Sequence, residues 1–131
     1  MPYLLDTNIV IAILEDPGSS VGQRAKWERL DDLCVSSIVT HELFFGAFKS
    51  RHQRHNLDRL DRMHFPVLDF DRDDARQAGL IRAELSARGV PIGPYDVLIA
   101  GQAVARDLIL VTGNTREFSR VPGLRIADWE A

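Results

Sequence analysis

Short apolar runs alternate along this chain with longer runs in which apolar side chains recur every three or four positions. Tyr3-Leu4-Leu5, Leu33-Cys34-Val35-Ser36, Pro66-Val67-Leu68 and Leu108-Ile109-Leu110-Val111 are of the first kind and read as strands, with a last strand around 124–126. The run at 108–111 is wholly apolar, the pattern of a strand covered on both faces. Helices are predicted over 8–14, 21–30, 39–49, 54–63, 72–88 and 94–106. In the fifth of these Asp71 stands as N-cap, Ala75, Ala78, Ile81 and Leu85 form one apolar face, and Gly89 is the stop. Pro94 opens the sixth. Segments 89–93 and 112–115 read as loops. Strands alternating with helices predict an α/β fold with a parallel sheet flanked by helices.

Four polar positions do not fit this pattern. Asp6 lies between the first strand and a helix that is apolar all round, where a carboxylate is costly unless it is paired, hydrogen-bonded or bound to a metal. It is either a helix N-cap or part of a site at a strand end. Thr7 or Asn8 serves equally as the cap, which frees Asp6. Glu42 shares a helix face with Val39, Phe45 and Gly46 by spacing, which places a carboxylate on an apolar side. Asp96 falls in the first turn of a helix whose body, 97–105, is almost wholly apolar. The helix dipole favours it there by roughly 0.3–1 kcal/mol, so stability alone is one explanation. Thr112 and Asn114 follow the strand at 108–111 and offer a hydroxyl and an amide oxygen, although Gly113-Asn114 is also ordinary turn chemistry.

Together these positions describe a site. Two lie just past strand ends, where a parallel sheet forms its crevice, and two lie on helices able to cover it. Three carboxylates in one pocket repel each other unless they are protonated or neutralised by cations. Hard oxygen ligands with open positions suit Mg²⁺ or Mn²⁺. The matching chemistry is metal-assisted phosphodiester hydrolysis, in which a second metal ~3.5–4 Å away would stabilise the leaving oxygen. His41-Glu42 begins like a zinc-protease helix, but position 45 is Phe rather than His. No serine stands in a Gly-x-Ser-x-Gly turn.

The whole-chain quantities narrow the picture. At 131 residues, 45% hydrophobic and 27% charged, one globular domain over 1–131 is expected. Sixteen basic against nineteen acidic side chains give a formal charge of −3, so nucleic-acid binding would need a local basic patch. Cys34 is the one cysteine; it excludes an internal disulfide and reads as an inert buried thiol. No apolar run near the start is long enough to span a bilayer, and no basic residue precedes it as in a secretory signal, so a cytoplasmic location is expected.

Four segments in order carry a resemblance to a known family. Leu4-Leu5-Asp6-Thr7-Asn8, Thr40-His41-Glu42-Leu43, Ile92-Gly93-Pro94-Tyr95-Asp96-Val97-Leu98-Ile99-Ala100 and Val111-Thr112-Gly113-Asn114 resemble the PIN-domain ribonucleases, in particular the VapC toxin branch of type II toxin–antitoxin systems. The tail from Asn114 to Leu124 is similar to that branch as well, and the resemblance covers Leu4 to Trp129. It implies a three-layer α/β/α fold, a Mg²⁺-dependent endoribonuclease acting on a structured RNA such as tRNA or rRNA, and a small VapB-type antitoxin that blocks the site. By motif, Asp6 and Asp96 resemble the principal metal-binding carboxylates and Glu42 the third acidic residue. Asn114 stands where many PIN domains have a fourth acid, which lowers the charge available for a second metal. Thr7 and Thr112 fall in supporting positions.

Segment 49–64 carries five of the sixteen Lys and Arg residues and three of the four histidines, against the acids Asp58 and Asp61. Lys49, Arg51, Arg54, Arg59 and Arg62 are placed to grip phosphates, and Arg116 follows Asn114 closely. A solvated helix face would show the same charges. Trp27, Phe44, Phe45 and Phe48 exceed what a short helical pair needs for its own core, and are expected either in the core or at an antitoxin groove or homodimer contact. Two other functions remain to be weighed: a PIN-like module that binds RNA or a partner without cleaving, and a phosphoacceptor or aspartate-nucleophile fold. The latter expects Asp-x-Asp at the first strand, where position 8 is Asn, and a late lysine, whereas the only lysines are Lys26 and Lys49.

Overall fold

The computed structural model describes residues 2–130. Five strands, β1 (Tyr3–Leu5), β2 (Leu33–Ser36), β3 (Val67–Leu68), β4 (Ile109–Val111) and β5 (Arg125–Ala127), pair in parallel in the order β3-β2-β1-β4-β5. Parallel neighbours need crossover connections, and helices supply them. These are α1 (Thr7–Glu15), α2 (Ser20–Trp27), α3 (Ser37–Lys49), α4 (Gln53–Asp61), α5 (Arg72–Ala87), α6 (Pro94–Ala105) and the short α7 (Thr115–Phe118). Leu4, Leu5, Val35, Leu110 and Val111 are fully buried, which explains why the inner strands carry no polar alternation.

The expected elements are present, with differences at their ends. The helix expected over 21–30 stops at Trp27, and Leu30–Asp32 forms a 3₁₀ turn. α3 starts at Ser37 because the Ser36 hydroxyl accepts from the Ile38 N–H at 3.0 Å and caps it. The loop expected over 112–115 instead runs into α7, whose Phe118 is completely buried.

α5 buries three of its four expected residues and departs from the expected face only in its first turn. It buries Asp74, Ala78, Ile81 and Leu85, while Ala75 faces solvent. The reason is an ion pair. Arg106 donates from Nε to Asp74 Oδ1 at 3.2 Å and from Nη2 to Oδ2 at 3.0 Å, and Gln102 Nε2 donates to the same Oδ2 at 3.2 Å. Burial alone would push the Asp74 carboxyl up, but these donors and the Asp71 N–H hold it below the usual carboxylate range. Asp71 and Asp74 also form a reciprocal capping box, and Gly89 (φ +69°) follows the helix as its stop. α5 and α6 approach so closely that a Cβ at Gly101 would lie 2.5 Å from Ala78 Cβ. The position of α6, and of Asp96 at its start, is therefore fixed from both ends.

Strand order reverses at β1: β2 and β3 lie on one side, β4 and β5 on the other. The carboxyl ends of β1 and β4 thus form the switch point of the sheet, where α/β folds open a crevice. Leu5 pairs with Val111 in register, so Asp6 and Thr112 leave the sheet side by side.

Candidate active site

Asp6 is nearly completely buried at this switch point. It is both the helix cap and a member of the site. Its Oδ1 accepts from the Thr7 N–H at 2.9 Å, and its Oδ2 accepts from the Thr112 hydroxyl at 2.8 Å. The expectation that Thr7 or Asn8 would cap α1 is corrected: the cap is Asp6, and the Thr7 hydroxyl instead donates to Glu42 Oε1 at 3.1 Å. The chemistry allows both tasks, because each carboxylate oxygen has two lone pairs. Thr112 is itself fully buried, and its hydroxyl accepts from the Asn114 N–H at 3.0 Å, which shapes the loop after β4.

Glu42 lies at the edge of the buried stripe of α3. That stripe is Val39, Leu43 and Ala47, whereas Phe45 and Gly46 face solvent, so the expected face of Val39, Glu42, Phe45 and Gly46 is also corrected. Edge placement lets the carboxylate reach α1 and still touch water. Burial raises the Glu42 carboxyl above its ordinary value, and the Asp6 charge adds to this; the Thr7 hydroxyl and His41 oppose it.

Asp96 stands in the first turn of α6, after Gly93 and Pro94. Its carboxyl is pushed up to about 6, first by burial and then by the charges of Asp6, Glu117 and Glu42. No N–H or hydroxyl of the described residues donates to it. Asp6, Glu42, Asp96 and Glu117 therefore share one region.

Glu117 is the residue that the sequence pattern did not single out. It lies in α7, and Asn114 donates from Nδ2 to its Oε2 at 2.8 Å. Asn114 thus does not leave the site short of charge; it positions an acid three residues later. The signal was present in Asn114-Thr115-Arg116-Glu117, a helix-start residue followed at the third helical position by an acid. It is masked by the shortness of α7, which has too few residues to show a period.

The basic positions are dispersed. Arg51 and Arg54 are exposed around the start of α4, with His52 and His55, and form no ion pair among the described residues. Arg59, on α4, faces Glu15 at 3.9 Å. It lines a cavity of about 290 Å³ between α1, α3 and α4 that also touches Glu42. Arg116 is exposed beside Glu117. Trp27 (84% exposed), Phe45 (61%) and Phe48 (59%) lie outside the core. The Cys34 thiol is buried, donates to the Tyr3 carbonyl at 3.3 Å and is pushed up to about 11 by burial, which fits an inert thiol.

A parallel α/β sheet with acidic side chains gathered at its switch point is an arrangement on which hydrolytic chemistry can be built. Residues 3–124 match the family model of the PIN domain. The tRNA(fMet)-specific endonuclease VapC of Shigella flexneri is 44% identical over 131 residues, 98% of each chain. Among solved structures, a DNA-bound VapBC from Salmonella typhimurium aligns with a TM-score of 0.92 at 41% identity over 98% of each chain. VapBC2 from Rickettsia felis, bound to a promoter DNA fragment, aligns at 0.90 with 34% identity over 98% of this chain and 99% of its own. The chain belongs to the PIN-domain family, in its VapC ribonuclease branch. Among the described residues no helix is long and apolar enough to cross a membrane.

Proposed function

We propose that this chain is a Mg²⁺-dependent endoribonuclease toxin of a type II toxin–antitoxin pair, active in the cytoplasm, that cuts a structured RNA. tRNA(fMet) is the first substrate to test, because relatives of this similarity are named for it. The observation that carries the reading is Asp96, a half-buried carboxylate that meets Asp6, Glu42 and Glu117 and accepts from no N–H among the described residues, so that its carboxyl is raised to about 6. A divalent cation would relieve that repulsion.

The donor set fits such an ion. It is all carboxylate oxygen, suited to a hard cation. Among the described residues no three His, Cys, Asp or Glu side chains converge closely enough to hold a metal ion by themselves, so an ion here would also need water and substrate oxygens. An open site of this kind suits Mg²⁺, which keeps several waters and is held by one or two carboxylates together with substrate phosphate. Asp6 and Asp96, with Glu42 and Glu117, would hold Mg²⁺ or Mn²⁺, which when bound supplies Lewis acidity toward a phosphoryl oxygen and lowers the pKa of water.

The rest of the work falls to this chain's own side chains. Thr112 and the Thr7 N–H hold the Asp6 carboxylate in one orientation, and the Thr7 hydroxyl does the same for Glu42. Asn114 fixes Glu117. Arg51, Arg54, Arg59 and Arg116 contact RNA phosphates around the cluster and offset the acidic net charge. No covalent nucleophile is needed. A VapB-type antitoxin would silence the enzyme by covering the carboxylates, and the apolar cavity walls Ile11, Leu14, Leu43 and Leu60 beside Glu42 give it a surface to bury.

The test is cleavage of purified tRNAs. The expected result is a cut in tRNA(fMet) that stops with EDTA and returns when Mg²⁺ or Mn²⁺ is added back. Cleavage that persists in EDTA, or tRNA left intact while other RNA is cut, would contradict the metal or the substrate respectively.

A further inference from the structure

His41 and Tyr95 form an exposed aromatic pair, with ring centroids 5.4 Å apart and planes tilted by 51°. Tyr95 is 48% exposed, and His41 is exposed as well. Neither side chain hydrogen-bonds to any described residue. The pair joins two elements, α3 and the start of α6. Each ring immediately precedes a site carboxylate: His41 precedes Glu42 and Tyr95 precedes Asp96. His41 is near enough to Glu42 for its charge to act on that carboxylate, and Tyr95 lies against His41, so the pair borders the cluster.

An exposed tyrosine in this place does nothing for the core. It also stands at the rim of an acidic cluster, where a phosphate not neutralised by a bound cation is repelled. The part of an RNA that can approach such a rim without repulsion is the neutral face of a base. Unpaired bases are bound this way in single-stranded RNA, on aromatic rings that accept any base. The tilt keeps the two rings from covering each other face to face, and the His41 ring leans on that of Tyr95 and limits its rotation.

We propose that Tyr95, buttressed by His41, stacks on an unpaired nucleobase next to the scissile phosphate and so selects single-stranded positions for cleavage. This rests on the carboxylate cluster being the cleavage centre. It assigns substrate selection to two residues that hold no metal and transfer no proton.

The test is a coupling experiment on an RNA stem-loop whose cut position has first been mapped with the unaltered protein. Tyr95→Ala should lower kcat/KM by about 5- to 100-fold, Tyr95→Phe should change it less than about twofold, and Tyr95→Leu should resemble the alanine variant. The same stem-loop with the base removed at the nucleotide flanking the cut should lose a similar factor with the unaltered protein and show no further loss with Tyr95→Ala. If the two losses multiply, or if Tyr95→Ala cuts the intact RNA at the original rate, the stacking role is wrong. If Tyr95→Ala cuts normally and loses only antitoxin binding, the pair is a protein contact instead. The result is separable from the metal-centre reading, which fails if cleavage survives removal of a site carboxylate or persists in EDTA.

Discussion

The side-chain amide of Asn114 donates to Glu117 at 2.8 Å and holds that carboxylate near enough to Asp96 to raise it. An amide where an acid was expected is therefore a positioning group. Asn114→Ala frees Glu117 without removing a charge. Such supporting contacts are typically worth about 10- to 100-fold in metal affinity. The Mg²⁺ concentration for half-maximal RNA cleavage should rise by about tenfold, and an unchanged Mg²⁺ titration would show that Glu117 takes no part.

Thr112 ties Asp6 to the loop after β4 through a single buried hydroxyl. Thr112→Val keeps the shape and removes both hydrogen bonds. It should cost about 1–3 kcal/mol of stability, seen as a lower urea midpoint, and should reduce cleavage as well. Thr112→Ser keeps the hydroxyl and should stay near the original on both measures.

Asp74 makes stability depend on acid. Its folded-state pKa lies below the ordinary value because Arg106, Asp71 and Gln102 outweigh burial. A depressed carboxylate contributes stability above its unfolded pKa of ~3.9 and loses it as pH falls through the lower folded value. Asp74→Asn should therefore be less stable than the original by about 1–3 kcal/mol at neutral pH, with the gap closing as pH falls below the unfolded value of ~3.9 and through the lower folded one. Urea midpoints at neutral and at acid pH give the comparison, and a gap that does not change with pH would mean the pair is not the source.

Arg51 and Arg54 are free of ion pairs among the described residues and exposed around the start of α4. If each meets a phosphate, changing both to Ala weakens RNA binding at low salt and flattens the dependence of log affinity on log salt by about 0.7 per lost contact on a single strand. Filter binding across a salt series reads both effects. No change in slope would place the RNA elsewhere.

Much of the fold was legible because the apolar runs are long against the distance over which their period shows. The wholly apolar run Leu108–Val111 reads as a buried strand and Ile109–Val111 forms β4, and Asp71 and Gly89 bracket α5 as caps do. Asp6, Glu42 and Asp96 stood out as charges in apolar surroundings, and the structure gathers them. The errors have local causes. Asp6 does two jobs with two oxygens, a possibility that a choice between cap and site concealed. The first turn of α5 departs from the expected face because Asp74 is buried against Arg106, a residue 32 positions away that no helical period can reveal. Glu117 was hidden because α7 is held by one buried side chain, Phe118, rather than by a repeating stripe.

The most direct measurement of the central claim is RNA cleavage by Asp96→Asn. Asn has the same shape without the charge. Because burial and the neighbouring acids raise the Asp96 carboxyl to about 6, its ionised form is unfavourable at neutral pH, and the neutral variant should fold with equal or greater stability. Against that intact fold, Mg²⁺-dependent cleavage should fall by at least about a hundredfold. Cleavage at the original rate by a folded Asp96→Asn protein would contradict the proposed centre.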